Sequence, residues 1–391
     1  MADASKQRAT AHHHGLPYEI VIWEILVRLP PKSLLRCRAV CRAWRRTTST
    51  RDFLLAHHAH QPTLPVASGY GYCGPSVNRD IITFDHRAAD AQLQHVTKFD
   101  VGRFCVLQAS CNGLLLLSCN TFAASCFYIC NPATRQYTRL LMLCHFKVLG
   151  MYRHRPTAEY QILLYHKDEN IGLHPVGEEH DRYYIIALGS VEPPRNIRCA
   201  LGAEQVYLRG GEALMFRGNL HWHLRQRETE SNKIVVFDST TESFKQMHAP
   251  VVFRHATLFE MDGMLGMFSC NDVGTTINIW ELQDYENQVW TFKCKIELPI
   301  NEISVLCGKH DNYWFAVIVP GDGDLLVLVQ FAEWLLQVDA DGKLVTSFHQ
   351  PELFPTQLQL KQTLVPHTFF STPEYQIVMC ECSAFHLKAV E

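Results

Sequence analysis

The chain has 391 residues, of which 47% are hydrophobic and 19% charged. That length accommodates roughly two or three domains, and so low a charge beside 11% aromatic residues excludes a largely disordered or coiled-coil protein. A net charge of -3 leaves no overall basic excess with which to hold nucleic acid or an anionic membrane.

The charge is unevenly placed. Residues 1–60 hold ten Lys/Arg against four Asp/Glu, whereas the remainder is acidic, so the two parts are expected to meet different partners. Fifteen cysteines, with Glu24 and Arg28 interrupting the only early apolar stretch, predict free thiols in a reducing compartment, cytoplasmic or nuclear. The longest apolar stretch, Leu325 to Val338, is too short to span a bilayer and contains Gln330 and Glu333, so no membrane is expected.

Residues 1–15, His12 to His14 included, lack apolar periodicity and read as a disordered leader. Ordered structure is predicted from Leu16-Pro17, with a first helix over Glu19–Leu29 stopped by Pro30-Pro31. A second helix is predicted over Lys32–Ala39 and a third over Cys41–Thr48. The first helix is apolar on nearly every side, its only charges being Glu19, Glu24 and Arg28. A module of roughly 45 residues cannot cover such a helix by itself, so something else is expected to pack there. Arg36, Arg38, Arg42, Arg45 and Arg46 favour an acidic neighbour. The plain alternative is a bundle packed on the rest of the chain with solvated arginines. A helix-turn-helix reading is poorer, because no polar recognition face is present.

The run Leu16-Pro17-x-Glu19-Ile20, Glu24-Ile25-Leu26-x-Arg28-Leu29-Pro30 and Ser33-Leu34-Leu35-Arg36-x-Arg38-x-Val40-Cys41-x-x-Trp44, followed by Phe53, resembles an F-box in order and spacing over about residues 15–58. The resemblance implies docking on an acidic Skp-type adaptor and, through it, on a cullin scaffold. It also implies that Leu16, Pro17, Ile20, Ile25, Leu26, Leu29, Pro30, Leu34, Leu35, Val40 and Trp44 divide between the module's own core and that interface.

Residues 61–79, rich in Gly and Pro, read as a linker or a blade-closing loop. Gly69-x-Gly71-x-x-Gly74 fits a dinucleotide fingerprint, but no strand precedes it and Pro75 rather than a helix follows. Beyond residue 80 come short apolar runs that read as strands, among them Ile81–Phe84, Leu114–Leu117, Cys126–Cys130, Ile162–Tyr165, Tyr184–Leu188, Leu220–Leu224, Ile234–Phe237 and Ile277–Leu282. Five end in Asp or Asn at 85, 131, 238, 284 and 339, where the side chain is expected to accept backbone N–H bonds across a turn. Their spacing implies a unit of about 50 residues, the length of a four-stranded propeller blade. Six units fit the span from about 66 to 391, with seven the alternative and a large sandwich the rival. Ser110-Cys111-Asn112-Gly113-Leu114, Asn131-Pro132-Ala133-Thr134-Arg135, Gly218-Asn219-Leu220-His221-Trp222, Phe237-Asp238 and Ile279-Trp280 resemble the kelch-like repeats associated with plant F-boxes.

No catalytic constellation emerges. His57 with His60 reads as a solvated helix end, Cys126 with Cys130 and Cys380 with Cys382 as small hydrophobes, and Asp322-Gly323-Asp324 as a turn. His221 and His223 share one strand face. The charged stretch 167–182 reads as a loop. The sequence therefore predicts a disordered leader at 1–15, a small all-α three-helix F-box at 16–60, a linker at 61–79 and an all-β propeller at 80–391. The resemblance implies a non-enzymatic substrate-recognition subunit of a Skp-cullin-F-box ubiquitin ligase, with no cofactor and with a target protein as its second partner. The alternative is a propeller binding module acting outside ubiquitin transfer.

Overall fold

The computed structural model describes residues 16–73, 76–85, 92–100, 105–120, 125–140, 143, 146–166, 183–198, 212–223, 233–250, 256–271, 275–308, 315–320, 325–350 and 353–370. Two compact units result, Met1–Pro62 with Thr363–Val365 and Thr63–Gln362 with Pro366–Glu391. The leader, the 167–182 stretch, Asp322 to Asp324, Cys380 and Cys382 lie outside the described residues.

The first unit is helical. Helix α1 runs through three local geometries: an α turn at Tyr18–Ile20, a π turn at Val21–Ile25 and a 3₁₀ turn at Leu26–Arg28. Helices α2 (Pro31–Val40) and α3 (Arg42–Thr48) follow the predicted pattern, with Pro31 at the first helical position of α2. A fourth helix, α4 (Arg51–His60), was legible in the sequence only at its end, His57 to His60; Thr50 is its N-cap and accepts a bond from the Phe53 amide at 3.4 Å.

The second unit is a six-bladed propeller. Its strands are β1 (Leu64–Cys73), β2 (Ser76–Asp85), β3 (Gln92–Asp100), β4 (Cys105–Cys111), β5 (Leu114–Asn120), β6 (Ser125–Asn131), β7 (Gln136–Leu140) and β8 (Phe146–Arg153). Next come β9 (Tyr160–His166), β10 (Tyr183–Ala187), β11 (Arg195–Ile197), β12 (Leu214–Phe216), β13 (Asn219–His223), β14 (Lys233–Asp238), β15 (Ser243–His248) and β16 (Ala256–Met261). The last are β17 (Met264–Cys270), β18 (Thr276–Asp284), β19 (Val289–Glu297), then helix α5 (Ile300–Cys307), β20 (Phe315–Pro320), β21 (Leu325–Phe331), β22 (Trp334–Val338), β23 (Leu344–His349) and β24 (Leu353–Leu360). They pair as six four-stranded antiparallel sheets.

Five blades use consecutive strands; the first has the order β24-β1-β2-β3, so the last of the described strands closes the ring. Leu64 opposes Leu360 and Gly69 opposes Leu353 in that closing pair. This corrects the linker reading of 61–79, most of which is β1 and the start of β2. Glycine and proline weaken a strand locally, but β1 is bonded on one side to β24 and on the other to β2, and a register shift between Pro65 and Ala67 accommodates the proline. The partner that supplies half of those bonds lies nearly 300 residues away, which local composition cannot report.

Each seam between neighbouring blades is an apolar cluster. Leu115 and Leu117 of β5 point into the seam with the first blade, beside Val66, Ile81 and Leu360. Leu114 and Leu116 of the same strand point into the seam with the third, beside Met151 and Ile162. Strand β14 repeats the pattern: Val235 and Phe237 face the third blade, Ile234 and Val236 the fifth. The continuous apolar runs of the sequence are strands buried on both faces.

All five predicted Asp/Asn turns fall at the same place, the end of the third strand of a blade. Oδ1 of Asn131 accepts the amides of Ala133 (3.1 Å) and Thr134 (3.4 Å), and Oδ1 of Asp238 those of Thr240 (2.9 Å) and Thr241 (3.1 Å). Asp284 and Asp339 do the same in the fifth and sixth blades. Asn131 is fully buried, so Asn131→Ala orphans two amides. We expect a loss of about 1–3 kcal/mol, read as a lowered urea midpoint for the propeller transition with its slope unchanged.

Candidate docking surface

Helix α1 shows how an apolar sequence is split between interior and surface. Its π turn places the Leu26 amide within reach of the Ile22 and Val21 carbonyls, changing the helical phase in mid-helix. Ile22, Leu26 and Val27 are buried, whereas Ile20, Trp23 and Ile25 remain 41–43% exposed. The helix is anchored at its start by Tyr18, whose hydroxyl lies 2.7 Å from Thr47 Oγ1 of α3. Farther along, Trp23 packs on Phe53 of α4 with ring centroids 5.6 Å apart.

The eleven sequence-predicted positions separate cleanly. Leu26 and Leu34 are buried, and Leu29 and Trp44 are half-buried. Leu16, Pro17, Ile20, Ile25, Pro30, Leu35 and Val40 are exposed, Val40 by 77%. Two further exposed apolar side chains, Trp23 and Leu55, belong with them. The missing signal for Leu55 was helix α4 itself, whose N-cap and Phe53/Leu54/His57 spacing were present in the sequence.

The arginines also separate. Arg36, Arg42, Arg45 and Arg46 are exposed and form no ion pair among the described residues. Arg38 is instead a tether: its Nε donates to Thr48 Oγ1 at 3.0 Å and its Nη2 to the Thr48 carbonyl, tying α2 to the end of α3. An exposed apolar surface flanked by uncompensated guanidinium groups suits a partner that is apolar in part and acidic in part.

His57 is not a solvated helix end. It is fully buried, and its Nε2 donates to the Leu29 carbonyl at 2.8 Å, holding α4 on the end of α1. Its Nδ1 is buried with no hydrogen-bond partner among the described residues. Burial holds the imidazole below its ordinary range, against the opposing pull of the Leu29 bond.

The propeller histidine flagged by the sequence, His221, is likewise internal. Its Nε2 meets the Tyr285 hydroxyl at 2.8 Å and its Nδ1 the Asn219 carbonyl at 3.1 Å, joining the fourth blade to the fifth, and burial lowers it to about 4. His223, on the same strand face, is not brought to a shared ligand with it. Cys126 and Cys130 are both buried in the second blade. Among the described residues no group of three or more His, Cys, Asp or Glu is placed to hold a metal ion, and no helix is long and apolar enough to cross a membrane.

Two predictions follow from this division. Leu34→Ala should destabilise the helical unit by about 2–5 kcal/mol, whereas Leu35→Ala should leave stability within about 0.5 kcal/mol, measured by denaturant unfolding. Because the folded pKa of His57 is depressed, its stabilisation is complete above the unfolded value of about 6.5 and is lost as pH falls below it. Between pH 7.5 and 5.5 the wild-type chain should lose more stability than His57→Asn, by at most about 1.4 kcal/mol per pH unit; equal slopes would show that His57 does not titrate in this way.

Comparison with known proteins agrees with both units. A family model for the F-box associated beta propeller domain matches residues 82–334, and a model for F-box-like sequences matches residues 14–59. An F-box protein of Arabidopsis thaliana is 25% identical over 320 residues, covering 77% of this chain and 80% of that one. An F-box/kelch-repeat protein of the same plant is 23% identical over 321 residues, covering 73% and 80% respectively.

Proposed function

The chain belongs to the F-box proteins that carry an F-box-associated β-propeller, and from that premise we propose that it is the target-recognition subunit of a Skp-cullin-F-box ubiquitin ligase. The observation that carries the reading is the surface of α1 and α2, where Ile20, Ile25, Leu35 and Val40 are exposed and the exposed Arg36 and its neighbouring arginines form no ion pair among the described residues. A Skp-type adaptor, acidic and apolar by family resemblance, matches that chemistry. The propeller holds a target protein, and the polypeptide itself supplies no nucleophile.

Its mechanism is proximity. Tethering target and transfer enzyme on one scaffold converts their encounter into an intramolecular one, at an effective concentration on the order of millimolar for a short link. Geometry, rather than a catalytic side chain, then raises the rate.

Co-expression with a Skp-type adaptor tests this directly. The wild-type chain should co-purify with it, and Leu35→Asp or Ile20→Asp should lower recovery at least tenfold while the propeller unfolds at its wild-type denaturant midpoint. Recovery unaffected by either substitution, or no complex with the wild-type chain, would overturn the assignment of this surface.

A further inference from the structure

The cysteines of the propeller differ in what they face. Cys111, Cys130, Cys270 and Cys294 each oppose an aliphatic residue across a strand pair, Leu114, Leu115, Ile277 and Ile279 respectively. Cys119 of β5 instead opposes a cysteine on each side, Cys105 of β4 and Cys126 of β6, the latter one rung from the end of the pair at Asn120 and Ser125. Directly opposed antiparallel residues share a face with Cα atoms about 4.5–5.5 Å apart, within the roughly 4.4–6.8 Å that a disulfide spans. Neither Cys119 nor Cys126 is in a disulfide, and both are buried.

A cation stands beside one of them. Arg139 of β7 donates from Nη2 to Cys126 Sγ at 2.9 Å, which sets a fixed positive charge and a hydrogen-bond donor against that sulfur alone of the pair. Burial pushes the thiols of Cys111 and Cys130 up, that of Cys111 to about 12, so these two remain protonated. A small neutral oxidant such as hydrogen peroxide is suited to a pair buried at the end of a hairpin.

We propose that Cys119 and Cys126 form a peroxide-driven thiol–disulfide switch in the second blade. The Cys126 thiolate attacks one peroxide oxygen; the S–O bond forms, the O–O bond breaks, and hydroxide leaves to take up the proton that the Cys126 thiol released. The Cys119 thiol then attacks the sulfenic sulfur; the S–S bond forms and the hydroxyl departs as water with the Cys119 proton. Two thiols lose two electrons, and one peroxide becomes two waters. The link ties β5 to β6 beside the segment that connects them, and a thiol reductant reverses it.

The test treats the full chain with hydrogen peroxide, alkylates the remaining thiols and maps unreduced peptides by mass spectrometry. A Cys119–Cys126 peptide that dithiothreitol dissolves is expected, forming more slowly in Arg139→Gln, which removes the cation that contacts the Cys126 sulfur. Cys119→Ser should leave Cys126 as a sulfenic acid captured by a dimedone probe. Three results would each overturn the proposal: both thiols still reduced once the half-exposed Cys37 and Cys41 are oxidised, a link from Cys119 to Cys105 on its other side, or stoichiometric zinc released from the untreated protein. Peptide mapping of the wild-type chain decides the matter even if a variant fails to fold.

Discussion

The propeller depends on one constraint: every sheet is apolar on both faces. Leu114 to Leu117 and Ile234 to Phe237 send alternate side chains into opposite seams, so no blade is stable without a neighbour on each side. A linear stack of such sheets would leave two apolar faces in water, and only a closed ring removes both. Closure falls to β24, which inserts beside β1 and packs between β20 of the last blade and β4 of the second. The two ends of the propeller segment thus share one sheet, and the ring cannot open without breaking a strand pair.

Polar groups inside the seams are handled by the same neighbours. Trp222 of the fourth blade donates its indole N–H to the Leu149 carbonyl of the third, at 3.3 Å. Tyr152 of the third donates to Gln161 at 2.7 Å within its own blade. His221 and Tyr285 join the fourth blade to the fifth, beneath the Arg217 guanidinium that lies over the Phe216 and Tyr285 rings. A buried polar atom is costly unless paired, so these bonds fix which blade sits beside which, whereas apolar contact alone would tolerate sliding. The Asp/Asn turns add local definition by satisfying amides that the strand ladder leaves free.

The helical unit obeys a different logic. Its residues are too few to bury every apolar side chain, and the π turn of α1 shares them out: Ile22, Leu26 and Val27 inward, Ile20, Trp23 and Ile25 outward. Its polar interior is economical. Arg38 and His57, which look from sequence like a docking charge and a solvated terminus, each bond a carbonyl at the end of a neighbouring helix. Of the five arginines from Arg36 to Arg46, that leaves Arg36, Arg42, Arg45 and Arg46 at the surface.

Much of this was legible in the sequence because it is written in local chemistry. Pro30-Pro31 stops a helix by geometry, Asp and Asn bond the amides two or three residues onward, and runs of alternating seams appear as unbroken apolar tetrads. The period of those turns carried the blade count to six, as the structure has it. What the sequence left open depends on contacts distant in the chain. The strand character of residues 64–73 rests on β24, the inward turn of His57 on Leu29, and the division of α1's apolar side chains between interior and surface on a helical phase that no periodicity rule contains. Local propensity is a property of neighbours in sequence; burial, ring closure and the pairing of Cys119 with Cys126 rather than with an aliphatic residue were decided only when the strands took their register.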